Sequence, residues 1–159
     1  GENDQVERDQ RGKAIAAGMA VKLLSDVLAR PGNDQLIPEM AQTQEIKLAQ
    51  LRAAIAAVRS DGAMSENERQ AILQFADALQ LDSAGRVALI RDMDRDFALD
   101  DITRSAVTPE LSRLIFAASI YAIDSTAPSK RTYLNRLASA LNLGRDTAGR
   151  IEAHVRGRT

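Results

Sequence analysis

Three acidic side chains have the type and placement that site chemistry would need: Asp61 and Glu68 in the segment DGAMSENE, and Asp124 in DSTAPSKR. A hard cation such as Ca²⁺ takes about six to eight oxygen ligands, which an EF-hand gathers from one loop with several acidic positions. The first segment offers Asp61, Glu66, Glu68, the Ser65 hydroxyl and main-chain carbonyls. It lacks the D-x-D-x-D spacing, so a divalent-cation site here would be weak and would need a second segment to complete it. The same residues also have a purely structural use. Gly62 can end one helix, and Ser65-Glu-Asn-Glu68 is a capping box, in which the hydroxyl accepts from one end of the first turn while the carboxylate reaches back to the other. Asp61 and Asp124 could also meet as paired carboxylates for acid–base work. The simpler expectation is that each holds its own loop by accepting main-chain amides.

The other chemically suggestive groups read as structural. Asp92, Asp94 and Asp96 alternate with Arg91 and Arg95, but helical residues two apart diverge, so a solvated, salt-bridged face is expected rather than a ligand set. His154 is the single imidazole and the chain has no Cys. Neither a thiolate zinc site nor a triad can be assembled on it, and a surface or partly packed role is expected. Tyr121 and Tyr133 read as fillers at the edge of the core. The glycines are isolated and make no phosphate cradle. No catalytic constellation is recognisable, so no enzymatic activity is expected.

The elements that must carry these residues follow from composition and periodicity. The chain has 159 residues, 45% hydrophobic but only 3% aromatic, with no Trp. That length suits one domain, and a core of Ala, Leu, Ile and Val favours close-packed helices over strands. The 21 basic and 22 acidic side chains are interspersed. No broad positive field or aromatic platform is available for nucleic acid, which is excluded as a partner.

Residues 1–12 form a polar opening expected to be disordered, and a start at Gly suggests an excised or processed chain. Residues 13–39 are expected to be an N-terminal helix and loop, with Ile15, Met19, Leu23 and Val27 in a stripe closed by Arg30-Pro31-Gly32. Its most apolar run contains Lys22 and falls short of the roughly 20 residues that span a bilayer. This helix could seal the bundle, pair with a second copy, or lie on a membrane surface, and the first two are favoured.

Residues 40–159 are expected to be the helical domain proper. A helix from Met40 to Ser60 buries Leu48, Leu51, Ile55 and Val58, and the next starts at Ser65. A helix capped by Asp82 or Ser83 is predicted to turn Val87, Ile90, Met93 and Phe97 inward and Arg91, Asp92, Asp94 and Arg95 outward. A short helical turn follows within Asp100 to Ala106. Thr108-Pro109 starts a helix that is apolar nearly all round, hence central. Ser125 or Thr126 is expected to cap a helix with Pro128 in its first turn, and Arg145 to Val155 form the last.

The two halves of this domain echo each other. Leu51, Ala54 and Asp61 match Leu114, Ala117 and Asp124 at one spacing. With one residue lost in the loop, Arg69, Ile72, Phe75, Ala76 and Leu79 match Arg131, Leu134, Leu137, Ala138 and Leu141. The expected architecture is therefore all-α: a compact bundle of about seven helices, built on a helix-loop-helix unit repeated about a pseudo-twofold axis.

The segments LRAAIAAVRSDGAMSENERQAILQFADALQLD, TPELSRLIFAASIYAID and PSKRTYLNRLASALNL carry a family resemblance over residues 46–155. In order and spacing they resemble bacterial domains related to the tellurite-resistance protein TerB, including members associated with the inner membrane through a Gly-rich apolar N-terminal region. The resemblance implies a TerB-like helical fold and no established enzymatic activity. It points to a non-catalytic interaction or stress-response module, envelope-associated in the full-length protein. A cytoplasmic location at the inner-membrane face follows from it, as does a protein partner or homodimer, with membrane association only through a segment absent from this chain. In that broader group an acidic junction of the D-G-x₅-E type is associated with metal, which carries over to Asp61, Gly62 and Glu68, with Asp124 as counterpart. The second loop departs from the pattern, having no Gly after Asp124 and Lys130 at the position of Glu68.

Overall fold

The computed structural model describes residues 36–37, 42–123 and 127–157. The expected disordered segment 1–12, nearly all of the N-terminal helix and loop over 13–39, and Asp124, Ser125 and Thr126 lie outside the described residues. Among the described residues all regular structure is helical. The helices are α1 (Gln44–Val58), a 3₁₀ turn (Arg59–Asp61), α2 (Glu66–Ala78), α3 (Ser83–Asp92), α4 (Leu99–Thr103), α5 (Pro109–Ala122), α6 (Pro128–Ala140) and α7 (Arg145–Val155).

The centre is the crossing of α1 and α5, the most extensive helix contact in the bundle. Both helices are rich in small side chains, and Ala53, Ala54, Ala57 and Ala117 are wholly buried in the core they share. Around that axis α2 and α3 pack on α1, while α6 and α7 pack on α5. Leu51, Ile55, Ile72 and Phe75 from the first half share one continuous core with Leu114, Ile120, Leu134 and Leu137 from the second.

Local sequence explains most boundaries. Thr43 caps α1 by accepting from the Ile46 amide at 3.2 Å. The helix ends through the 3₁₀ turn at Gly62, whose φ of 137° is a left-handed value that favours glycine. The capping box at α2 is present: the Ser65 hydroxyl accepts from the Glu68 amide at 3.1 Å, and the Ser65 amide donates to the Glu68 carboxylate at 2.8 Å. Thr108 caps α5 ahead of Pro109 by accepting from the Leu111 amide at 3.1 Å, with no reciprocal carboxylate. The α6 start differs from expectation. Its N-cap is Ala127, which supplies no side-chain cap, and Pro128 opens the helix.

Both hairpins close alike. Gln80 and Asn142 adopt φ of 58°, and the amides of Leu81 and Leu143 donate back to the carbonyls of Ala76 and Ala138 at 3.3 and 2.9 Å. This is the Schellman closure of a helix C-terminus. One constant offset relates Glu66 to Pro128, Ala78 to Ala140, Gln80 to Asn142 and Ser83 to Arg145.

The inward face of α3 matches the prediction at Met93, with Phe97 beyond the helix partly buried, and differs at Val87 and Ile90. Leu89 and Met93 are buried, whereas Val87 and Ile90 are 59% and 56% exposed. Gly85 lies on this buried face, one turn before Leu89, and a Cβ there would sit 2.6 Å from Cγ of Leu81, so the missing side chain leaves room for Leu81 in the preceding turn. Asp92, predicted to face outward, is also buried, on the side where Arg52 of α1 meets it.

Candidate functional site

The Asp61 loop is where the sequence concentrates its candidate chemistry, and a lysine fills it. Lys130 lies in the first turn of α6, yet its side chain is only 9% exposed. Its Nζ donates to the Ala57 carbonyl at 3.1 Å, the Val58 carbonyl at 2.7 Å and Oδ1 of Asp61 at 3.0 Å. The last carbonyls of α1 have no amide partners within the helix and carry the negative end of its dipole, so an ammonium is well placed there. Three oxygens from the first hairpin thus converge on one cationic point supplied by the second.

Of the other two acidic residues of this loop, Glu68 is engaged in the capping box and Glu66 accepts from the Gln70 side-chain amide at 3.1 Å. Asp124 lies outside the described residues, so its approach to Asp61 is not part of this geometry. Among the described residues no three His, Asp or Glu side chains gather as a metal-binding group.

The alternating acidic run also differs from its reading as one helical face. Helix α3 ends at Asp92, and each carboxylate meets an arginine from another element. Asp92, 5% exposed, accepts from Nε of Arg52 on α1 at 2.7 Å. Asp94 pairs with Arg69 of α2 at 3.3 Å, and Asp96 with Arg59 at 2.8 Å. These pairs tie the α3–α4 connection back onto the first hairpin. Arg95 adds a cation–π contact over the Phe97 ring, 4.7 Å from its centroid.

In the second half, Arg131 of α6 uses both Nη atoms on the two oxygens of Glu152 in α7, one at 2.8 Å, and Arg156 Nε adds a contact at 3.4 Å. The Arg131 hydrogen bond is the largest influence on Glu152 and holds its carboxyl below the ordinary range despite the opposing effect of burial. Burial pushes the Tyr133 phenol up to about 12, against the nearby Arg136 charge. His154, expected at or near the surface, is 1% exposed on the inner side of α7.

One open groove lies away from these pairs. It encloses about 390 Å³ between the α4–α5 loop, the start of α5 and the α6–α7 turn, and Arg113 is the one charged residue lining it.

Sequence reasoning missed Lys130, Arg52, Arg113 and the Arg131–Glu152 pair. Lys130 had a usable signal. A basic residue at the position of Glu68 inverts the charge opposite Asp61, and that inversion could have been read as a partner for it. Arg113 had one too, as the lone charge between Glu110 and Asp124 in an otherwise apolar helix.

The protein is an all-α bundle whose described acidic groups are largely engaged by guanidinium, ammonium or helix-cap contacts. The chain belongs to the TerB-like associated family described as "Protein of unknown function (DUF533)", whose family model matches residues 7–155. No curated protein and no solved structure matches it. Among the described residues no helix is long and apolar enough to cross a membrane.

Proposed function

We propose that this domain is a non-catalytic interaction module of the TerB-like kind, serving stress response and associated with the cell envelope in the full-length protein. The supporting observation is the engagement of its acidic groups. Asp61 is held by Lys130, Asp92 by Arg52, Glu152 by Arg131 and Arg156, and Glu68 by the α2 cap. A carboxylate committed to an ion pair or a cap is a poor general base, because turnover would have to break the contact that positions it. On this reading residues 40–159 act as one unit, and the two hairpins are a pseudo-twofold repeat, which the shared offset and matching C-terminal turns support. The test is turnover itself. Purified protein assayed for hydrolase, transferase and redox activity is expected to be silent, and activity lost in a folded Asp61→Asn variant would overturn the reading.

A divalent cation at the Asp61–Glu68 loop, completed by Asp124, is the second reading. It is favoured by one observation: the Asp61 carboxylate and two main-chain carbonyls already converge on a positive charge. A metal ion would have to displace the Lys130 ammonium, which places this reading behind the first. Thermal unfolding with millimolar Ca²⁺, Mg²⁺ or Zn²⁺ tests it, and an unshifted midpoint discards it.

A further inference from the structure

The groove beside Arg113 has three kinds of wall. Val107, Leu141 and Leu143 supply apolar surface, and Val107 is 77% exposed, one of the few large hydrophobic side chains left uncovered. Ser112 and Asn142 supply neutral hydrogen-bonding groups. Arg113 supplies the charge, and among the described residues no acidic side chain lines the groove to neutralise it. Glu110 and Asp146, in the first turns of α5 and α7, are exposed and lie outside the lining.

Arg113 differs from the arginines that brace the helices. Arg52, Arg59, Arg69 and Arg131 each meet a carboxylate, whereas Nε of Arg113 is buried and donates to nothing among the described residues. That buried N–H is itself out of a ligand's reach, but the guanidinium pairs with no carboxylate among the described residues, so its charge is left for an acceptor brought from outside. A guanidinium pairs most effectively with a carboxylate, through two parallel hydrogen bonds. The groove volume lies in the range of small-ligand sites.

We propose that this groove docks a peptide segment in which a carboxylate stands next to an apolar side chain. The carboxylate meets Arg113, the apolar side chain lies against Val107, Leu141 and Leu143, and the peptide amides meet Ser112 and Asn142. Charge complementarity selects this occupant, since an uncompensated guanidinium disfavours a basic or neutral segment. The proposal rests on the interaction-module reading and names its surface. A silent groove would leave that reading standing through another face, whereas turnover would remove the reading itself.

The test is titration of ¹⁵N-labelled protein with the peptide acetyl-Gly-Ala-Leu, bearing a free terminal carboxylate, beside the same peptide as its terminal amide. Millimolar carboxylate peptide is expected to shift the amides of Val107, Asn142 and Thr147 saturably. The amide peptide should leave them in place, and Arg113→Gln should abolish the response while the rest of the spectrum keeps its dispersion. Absence of saturable shifts, equal shifts from both peptides, or shifts that survive Arg113→Gln would overturn the proposal. So would line broadening at these amides that depends on protein concentration alone, which would assign the groove to a second copy of the chain.

Discussion

Lys130 shows at residue scale how this protein uses charge. Its ammonium neutralises Asp61 and satisfies two helix-end carbonyls at once, joining the first hairpin to the second. Lys130→Met keeps the apolar stem and removes the charge. It takes the ammonium from the Ala57 and Val58 carbonyls, of which Ala57 keeps the Ser60 hydroxyl at 2.7 Å, while Asp61, 45% exposed, can recover water. A loss of about 1–3 kcal/mol in urea denaturation is expected. Glu152 gives a pH-dependent counterpart. Its carboxyl is depressed below the ordinary value of 4.5, first by the Arg131 hydrogen bond. A depressed carboxyl binds fewer protons in the folded state, so its contribution is present above the unfolded-state value and is lost as pH falls through the folded one. Glu152→Gln should therefore destabilise at neutral pH, and its gap from wild type should narrow progressively in acid, as urea titrations across that range would show.

At the scale of elements, the two halves start their second helices by different means. Ser65 caps α2 with its side chain, whereas α6 begins at Ala127 and Pro128 with no such bond. Ser65→Ala should cost about 0.5–2 kcal/mol, read as a lower unfolding midpoint. Starts of this kind were legible in the sequence because caps are local chemistry. Ser65-Glu68, Thr108-Pro109 and the bounds of α7 all fall where the residues point. The inward face of α3 was legible only in part, because periodicity weighs side chains that are present. Val87 and Ile90 count as apolar, and Gly85 counts for nothing, although it lies on the buried face and its missing Cβ makes room for Leu81. Burial of Lys130 was hidden for a related reason: a lysine in a first helical turn reads as solvated until the C-terminus of another helix is placed beside it. The partners of Asp92, Asp94 and Asp96 depend on how α3 meets α1 and α2, which no local pattern encodes.

For the whole molecule, the bundle depends on the close crossing of α1 and α5. Ala117→Leu, at a wholly buried position on that crossing, should overpack it and cost about 1–3 kcal/mol in chemical denaturation. The functional account has the same basis. Charged groups brace helices against one another, and under the proposed interaction-module reading recognition falls to the outer surface. Its central claim is that the acidic residues of the two loops are dispensable for what the protein does, provided the fold persists. The most direct measurement is proximity labelling around the full-length protein in its own cells, comparing wild type with an Asp61→Asn, Glu68→Gln, Asp124→Asn variant. The account predicts the same labelled neighbours for both. A variant that folds as wild type but loses those neighbours would contradict it.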